Sequence, residues 1–83
     1  MERKKRRPRA VTAVDAFIGA QMRDRRQALG LSQGSLGEKL GVSLQQIHKY
    51  ENGADRVSAA RLFEICEALG VSLASMFERK LKA

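Results

Sequence analysis

The sequence predicts an all-α domain, a compact bundle of five short helices. Apolar residues recur at helical spacing, each periodic run follows a Ser or Thr that can cap a helix, and glycines separate the runs. No stretch alternates polar and apolar residues as a strand would. Because 83 residues allow one small domain, we assign residues 12–83 to it and residues 1–11 to a basic N-terminal arm.

The first helix begins at Thr12, because Thr12 and Asp15 have the spacing of a capping box. Gly30 stands where the helix should end in a left-handed residue. One face of this helix carries apolar side chains that should point inward: Phe17, Ile18, Met22 and Leu29.

Two shorter helices follow. Ser32 can cap a helix over 33–40, and Ser43 can cap another that ends before the Asn-Gly pair at 52–53. Ser43 and Gln46 again have capping-box spacing. The expected inward residues are Leu36 and Leu40 in the first of these helices, then Ile47 and either Tyr50 or Glu51 in the second.

The fourth and fifth helices complete the domain. Ser58 caps the fourth, which Gly70 ends and whose inward residues should be Leu62, Phe63, Ile65, Cys66 and Leu69. Ser72 caps a fifth helix that runs to Leu81. Two interpretations of its apolar residues stay open: they complete the core, or part of the face forms a dimer seam. Those residues are Leu73, Met76 and Phe77.

The positive charge is concentrated at the N-terminus. The chain has a formal charge of +7, and its first nine positions account for +5 of it. A segment of this composition should be disordered when free, and it favours polyanions. A solubilising tail is the alternative, but we expect DNA contact. The basic residues of the arm are Arg3, Lys4, Lys5, Arg6, Arg7 and Arg9.

Composition also excludes several classes of protein. One cysteine, Cys66, rules out a disulfide scaffold, and we expect it to be a small core residue. A single histidine, with no metal-spaced ligand set and no phosphate-binding glycine loop, argues against an enzyme, a metal site, a cofactor or a small-molecule ligand. No apolar run is long enough to span a membrane, so we expect a cytoplasmic, nucleoid-associated protein.

The functional signal lies between residues 29 and 53. Two short helices flank a three-residue turn, Gly41-Val42-Ser43, which is the spacing of a helix-turn-helix. The second helix is pinned inward by Ile47 and is otherwise mostly polar. A short helix with amide and ammonium side chains fits the major groove of DNA, where it can bond to base edges.

This part of the chain resembles the Xre/Cro-type helix-turn-helix proteins of bacteria and phages, which have the phage lambda repressor fold. The resemblance covers roughly residues 17–78. Within the family, the chain is similar to a subgroup common in alphaproteobacteria. It is carried by Ile18, Arg26, GLSQ at 30–33, Leu36, LGVS at 40–43, Ile47, YENG at 50–53, Ser58, Leu62 and LGVS at 69–72.

The resemblance implies roles for individual residues. Base-reading positions fall on Ser43, Leu44, Gln45 and Lys49, and phosphate contacts on Gln33, Asn52, Arg56 and Arg61. It also implies a buried ion pair between Arg26 and Glu51 that ties the first helix to the third. From the residues themselves we add Gln46, as a cap or phosphate contact, and His48, as a solvated or phosphate-facing residue.

Leu44 departs from the family pattern, because the best-known phage members have glutamine at that position. A leucine can make only apolar contact, for example with a thymine methyl group, so we expect specificity at that base pair to be lower or of a different kind.

We therefore expect a sequence-specific regulator of transcription that binds double-stranded DNA. A homodimer on a palindromic operator is favoured, because one small module has too little interface for tight specific binding. The alternative is an antitoxin or co-regulator that acts through a protein partner. An RNA reader is disfavoured, because the spacing predicts that the four aromatic residues that could stack on bases face inward: Phe17, Tyr50, Phe63 and Phe77.

Overall fold

The structure, a computed structural model, describes residues 11–78. This part of the chain is all-α, as predicted, and contains no strand. Four α-helices and one 3₁₀ turn follow each other: α1 (Ala13–Ala28), α2 (Gln33–Leu40), α3 (Leu44–Glu51), α4 (Ala59–Leu69) and the 3₁₀ turn Ala74–Phe77.

The helix starts are where the capping residues predict them. The Thr12 hydroxyl accepts from the backbone N–H groups of Val14 and Asp15, and the Asp15 carboxylate accepts from the Thr12 N–H at 2.7 Å. Helices α2, α3 and α4 each follow an N-cap serine. The serine hydroxyl accepts a hydrogen bond from the backbone N–H of the residue three positions later. These bonds satisfy donors that have no partner within the helix, and so they fix the register of each helix.

One apolar core joins all five elements. Its buried members are Ile18, Met22, Leu36, Ile47, Tyr50, Leu62, Ile65, Cys66, Leu69 and Met76. Helix α3 packs against both α1 and α2, while α4 packs mainly against α2. Helix α3 is thus held from two sides, which gives it a fixed orientation.

Three residues expected in the core lie outside it: Leu29, Phe63 and Phe17, which is half-buried. Leu29 is 55% exposed because it is the C-cap of α1, where the chain already turns away. Phe63 is 56% exposed. The buried stripe of α4 runs through Leu62, Ile65, Cys66 and Leu69, and a residue 100° further round the helix from Leu62 falls past its edge.

The prediction of a fifth α-helix is wrong for the residues that the structure describes, which end at Glu78. After Gly70 the chain makes only the four-residue 3₁₀ turn, and Glu78 is already extended, with φ −83° and ψ 132°. The Gln21 amide of α1 donates to the carbonyls of Met76 (3.0 Å) and Glu78 (2.9 Å). These carbonyls, which a continuing helix would use, are bonded instead to a side chain of α1. Residues 79–81 of the predicted helix lie outside the described residues.

The helix-turn-helix angle depends on one close approach. A Cβ atom at Gly37 would lie 2.7 Å from the Val42 carbonyl oxygen, closer than side chains are found to approach backbone. The N–H of Val42 donates to the Gly37 carbonyl at 2.9 Å, so the turn lies directly on α2. Gly34, in the same helix, has room: its Cβ would meet nothing closer than 3.6 Å.

We therefore expect two glycine-to-alanine changes in α2 to have opposite signs. Gly34→Ala should raise the free energy of unfolding by about 0.5 kcal/mol, because it restricts the unfolded chain without a clash. Gly37→Ala should lower it by about 1–3 kcal/mol through overpacking against Val42. Urea denaturation of both variants checks this pair, and a shift of the same sign in both would contradict it.

Candidate nucleic-acid interface

The turn and the inner face of α3 set the orientation of this helix. Gly41 closes α2 in the left-handed region, with φ +74°, and Ser43 then caps α3. Three side chains of α3 are buried: Ile47, Tyr50 and Glu51. The two inward candidates that the spacing left open, Tyr50 and Glu51, are therefore both inside.

The opposite face of α3 is exposed. The residues on it, with the two that flank the helix, are Ser43, Leu44, Gln45, His48, Lys49 and Asn52. Gln45 and Lys49 are four residues apart, so their side chains lie on the same face. Neither side chain has a polar partner within residues 11–78. These two side chains can thus bond to an external ligand without breaking a bond inside the protein.

Gln46 is turned away from that face. Ser43 accepts from the Gln46 N–H at 3.0 Å, but the Gln46 side chain does not complete a capping box. Its amide instead donates to the Asp55 carboxylate at 3.0 Å. The expected capping box is therefore not formed, and the Gln46 side chain ties α3 to the loop that follows it. The phosphate contact of Gln46 stays a prediction.

His48 and Asn52 are joined at the C-terminal end of α3. The His48 Nε2 and the Asn52 amide nitrogen are 2.9 Å apart, on an exposed part of the helix. Both residues keep the solvent exposure that a phosphate contact needs.

A buried ion pair fixes α3 to α1. The Arg26 guanidinium donates to both carboxylate oxygens of Glu51, at 2.7 and 2.9 Å, and a third donor reaches the Leu31 carbonyl at 2.7 Å. The side chains are 9% and 1% exposed. The bond to Glu51 raises the pKa of Arg26. The Arg26 guanidinium therefore stays charged in the folded protein.

Gln33 joins this pair. Its amide nitrogen donates to Glu51 Oε1 at 3.0 Å, which links the first residue of α2 to the last residue of α3. The predicted phosphate contact through Gln33 thus uses a side chain that already braces α3.

Arg56, in the loop after α3, pairs with the start of α1. Its guanidinium donates to the two oxygens of Asp15, at 3.3 and 3.2 Å, while about a third of its side chain stays exposed. The Arg56 hydrogen bond, together with the bond from the Thr12 N–H, lowers the pKa of Asp15. Asp15 therefore caps α1 and holds the loop at once.

Arg61 is also engaged within the protein. It donates to the Leu40 carbonyl at 3.3 Å and to Glu64 at 2.9 Å, and it is partly exposed on α4. Its pairing with Glu64 offsets part of the charge it would bring to a phosphate.

The arm itself lies outside the described residues, but its attachment point is defined. The Asp15–Arg56 pair and the contact of Gly53 with Ala16 hold the start of α1 against the loop after α3. The start of α1 therefore lies beside the C-terminal end of α3.

Sequence reasoning missed Asp15 and Asp55 as partners of the interface residues. The Asp15–Arg56 pair spans 41 positions in the chain and the Gln46–Asp55 pair spans nine. No local spacing rule relates such residues, so the sequence carried no signal for either contact.

The aromatic residues lie differently from the expectation. Tyr50 is buried and Phe17 half-buried, but Phe63 and Phe77 are 56% and 48% exposed. The sequence argument against an RNA reader therefore holds for only two of its four residues. The exposed rings lie on α4 and the 3₁₀ turn rather than on α3.

Other kinds of site find no support in the part of the chain that the structure covers. Within residues 11–78, no three His, Cys, Asp or Glu side chains group as metal ligands. None of the helices described has the length and apolar character needed to cross a membrane. Cys66 is buried, and its burial raises the pKa of the thiol, so it is less reactive than an exposed cysteine.

Comparison with known proteins identifies the same segment. The helix-turn-helix family profile matches residues 22–75. A transcriptional regulator in the ATPase CF(0) region of Rhodospirillum rubrum is 48% identical over 69 residues, which cover 83% of this chain and 64% of that protein. The HTH-type transcriptional regulator y4wC of Sinorhizobium fredii is 45% identical over 80 residues, 96% of this chain and 54% of that protein. The chain thus spans between half and two thirds of the length of these relatives.

Solved structures agree with this assignment. The P22 c2 repressor, in complex with a synthetic operator, superposes with a TM-score of 0.66 and 29% identity, covering 71% of this chain and 89% of that one. The family is one of DNA-binding regulators rather than enzymes. The chain belongs to the helix-turn-helix family of Xre/Cro-type transcriptional regulators.

Proposed function

We propose that this protein binds specific sites in double-stranded DNA with α3 in the major groove and thereby regulates transcription. The observation that carries the proposal is the exposed face of α3. Gln45 and Lys49 present an amide and an ammonium group, with no partner in residues 11–78, from a helix held on its other side by a buried ion pair. Such groups recognise adenine and guanine edges in the major groove.

The interface residues divide into two roles. Ser43, Leu44, Gln45 and Lys49 read bases, because they lie at the N-terminal end or on the outward face of α3. A second set contacts phosphate around them, on exposed or partly exposed positions: Gln33, Gln46, His48, Asn52, Arg56 and Arg61. The arm adds contacts to the backbone, which supply affinity without sequence preference. A cytoplasmic protein associated with the nucleoid follows from this function.

The binding experiment starts from a random duplex library at about 0.15 M salt, near physiological ionic strength, with non-specific competitor present. Recovery of one enriched motif supports specific binding. Gln45→Ala and Lys49→Ala should each weaken binding to that motif by about 1–3 kcal/mol and leave binding to random DNA largely unchanged. The exposed Glu67→Ala, on α4, serves as the control. Equal loss on specific and random DNA would assign both side chains to phosphate instead.

We further propose that the protein binds a palindromic operator as a homodimer. Leu73 and Phe77 are each 48% exposed, whereas Met76, between them, is fully buried in the core. The two open interpretations of this segment thus apply to different residues: Met76 completes the core, and Leu73 and Phe77 are available as the seam. A two-fold seam would present two copies of α3 to half-sites one helical turn apart.

Light scattering over a range of concentrations tests the dimer, with Phe77→Asp as the variant. We expect the wild-type mass to rise from one chain to two and the variant to stay monomeric, because a carboxylate in the seam would lose its hydration. A monomer both free and on the enriched motif would exclude this mode of assembly.

A second candidate function is an antitoxin or co-regulator that acts through a protein partner. The exposed ring of Phe63 favours it, since large aromatic side chains on a surface are typical of protein interfaces. If the library yields no motif and binding disappears as salt rises, this function becomes the better interpretation.

A further inference from the structure

Leu44 is an apolar residue on an otherwise polar recognition surface. It is the first residue of α3, it is 50% exposed, and its neighbours on the outward face are Ser43, Gln45 and His48. No requirement of the core places it there, because Ile47 supplies the inward contact of this part of α3.

The side chain of Leu44 rests against the start of α2. A Cβ atom added at Gly34 would lie 3.6 Å from Leu44 Cδ1 and 3.8 Å from the hydroxyl of Ser32, the residue that caps α2. Because residue 34 is glycine, no side chain at this position covers the leucine. Leu44 Cδ1 thus lies close to Gly34, and half of the leucine is open to solvent.

The chemistry of the base edges limits what such a surface can recognise. Amino, carbonyl and ring-nitrogen groups of a base would lose water against a leucine and gain no hydrogen bond. The major-groove edges carry a single apolar group, the 5-methyl of thymine. A half-exposed leucine at the N-terminal end of α3 is therefore complementary to a methylated pyrimidine.

We propose that Leu44 selects thymine at one position of the operator half-site by burying the 5-methyl group of the base against its side chain. The proposal rests on the proposed function, specific DNA binding through α3, and adds the identity of one base and the group that is recognised. Gly34 contributes by leaving the leucine uncovered.

The test uses the enriched motif and replaces each of its thymines in turn by uracil, which removes only the methyl group. Wild-type protein should lose about fourfold in affinity at one thymine of each half-site, the factor that corresponds to roughly 0.8 kcal/mol for one buried CH₂-sized group. Leu44→Ala should bind the thymine and uracil duplexes nearly equally at that position. Leu44→Met, which keeps an apolar contact, should restore most of the discrimination.

Cytosine gives an independent arm of the same test. At the identified position, cytosine should weaken binding and 5-methylcytosine should recover about the same fourfold, because it restores the methyl group alone. Thermal melting of Leu44→Ala should match that of the wild type, since the side chain is half exposed and outside the core.

The outcomes separate this inference from the function on which it rests. Suppose that a motif is enriched, but that removing any one thymine methyl weakens binding of the wild type no more than binding of Leu44→Ala. This result overturns the role of Leu44 and leaves specific binding intact. Failure to enrich any motif overturns both.

Discussion

Glu51→Ala is expected to lower the free energy of unfolding by about 3–5 kcal/mol, the range found when one partner of a buried ion pair is removed. The Arg26 guanidinium would lose two hydrogen bonds to Glu51 and retain its bond to the Leu31 carbonyl. Because Arg26 is only 7% exposed, its charge would be left inside the domain with little access to water.

The expected loss is large compared with the whole free energy of unfolding of the domain. A small domain has roughly 5–15 kcal/mol of stability, so the variant should show a strongly lowered melting temperature and a detectable unfolded fraction at 37 °C. Gln33 would lose its partner as well, because its amide donates to the same carboxylate. Thermal melting followed by circular dichroism measures the effect.

Two comparisons isolate the cause. Glu64→Ala breaks a surface pair with Arg61 in which the Glu64 side chain is 54% and the Arg61 side chain 30% exposed, so it should cost under about 1 kcal/mol. Replacing both buried partners, by Arg26→Met with Glu51→Leu, should recover most of the stability lost by Glu51→Ala, because no charge is then left unpaired. A Glu51→Ala protein that melts like the wild type would mean that the pair does not form in solution.

Features of the fold that depend on local spacing were predictable. Thr12, Ser32, Ser43 and Ser58 each lie at the predicted helix start, because a capping bond connects residues two or three apart. The end of the chain was not predictable in the same way. After Ser72, the carbonyls of Met76 and Glu78 accept from the Gln21 amide of α1 instead of continuing an α-helix, and these contacts span more than 50 positions.

The same division applies to the interface. The outward face of α3 follows from helical geometry once Ile47 is known to point inward. The sequence was therefore enough to place Gln45 and Lys49 on that face. The position of Gln46 could not be assigned in this way, because the competing partner, Asp55, belongs to the next loop. Phe63 illustrates the limit within one helix: a hydrophobic residue next to the buried stripe is apolar but not inside.

Removing residues 1–10 is expected to weaken binding to specific and random DNA alike. Each phosphate that a basic side chain neutralises contributes about 0.9 to the slope of log affinity against log salt. Six basic residues in the arm set an upper limit of about 5 on the loss of slope. Full engagement of the arm would thus supply about a thousandfold of the change in affinity between 50 and 200 mM salt.

Titrations of both kinds of DNA at several salt concentrations measure this slope. An arm in which Arg and Lys are exchanged for each other keeps the charge and serves as the control, whereas six glutamines should behave like the deletion. Truncated protein with an unchanged slope would exclude the arm from the interface.

The truncation should leave the ratio of specific to random affinity nearly constant, and this ratio is the property that separates the arm from α3. Phosphates are identical at every site, so a cation that contacts only phosphate cannot distinguish one sequence from another. Gln45 and Lys49 are fixed on a helix that is held by the Arg26–Glu51 pair, and their replacement should reduce the ratio. We therefore expect the charge of residues 1–10 to contribute affinity, and the side chains on the outward face of α3 to contribute specificity. A truncation that lowered the ratio would show that the arm reads bases, as an arm in the minor groove does.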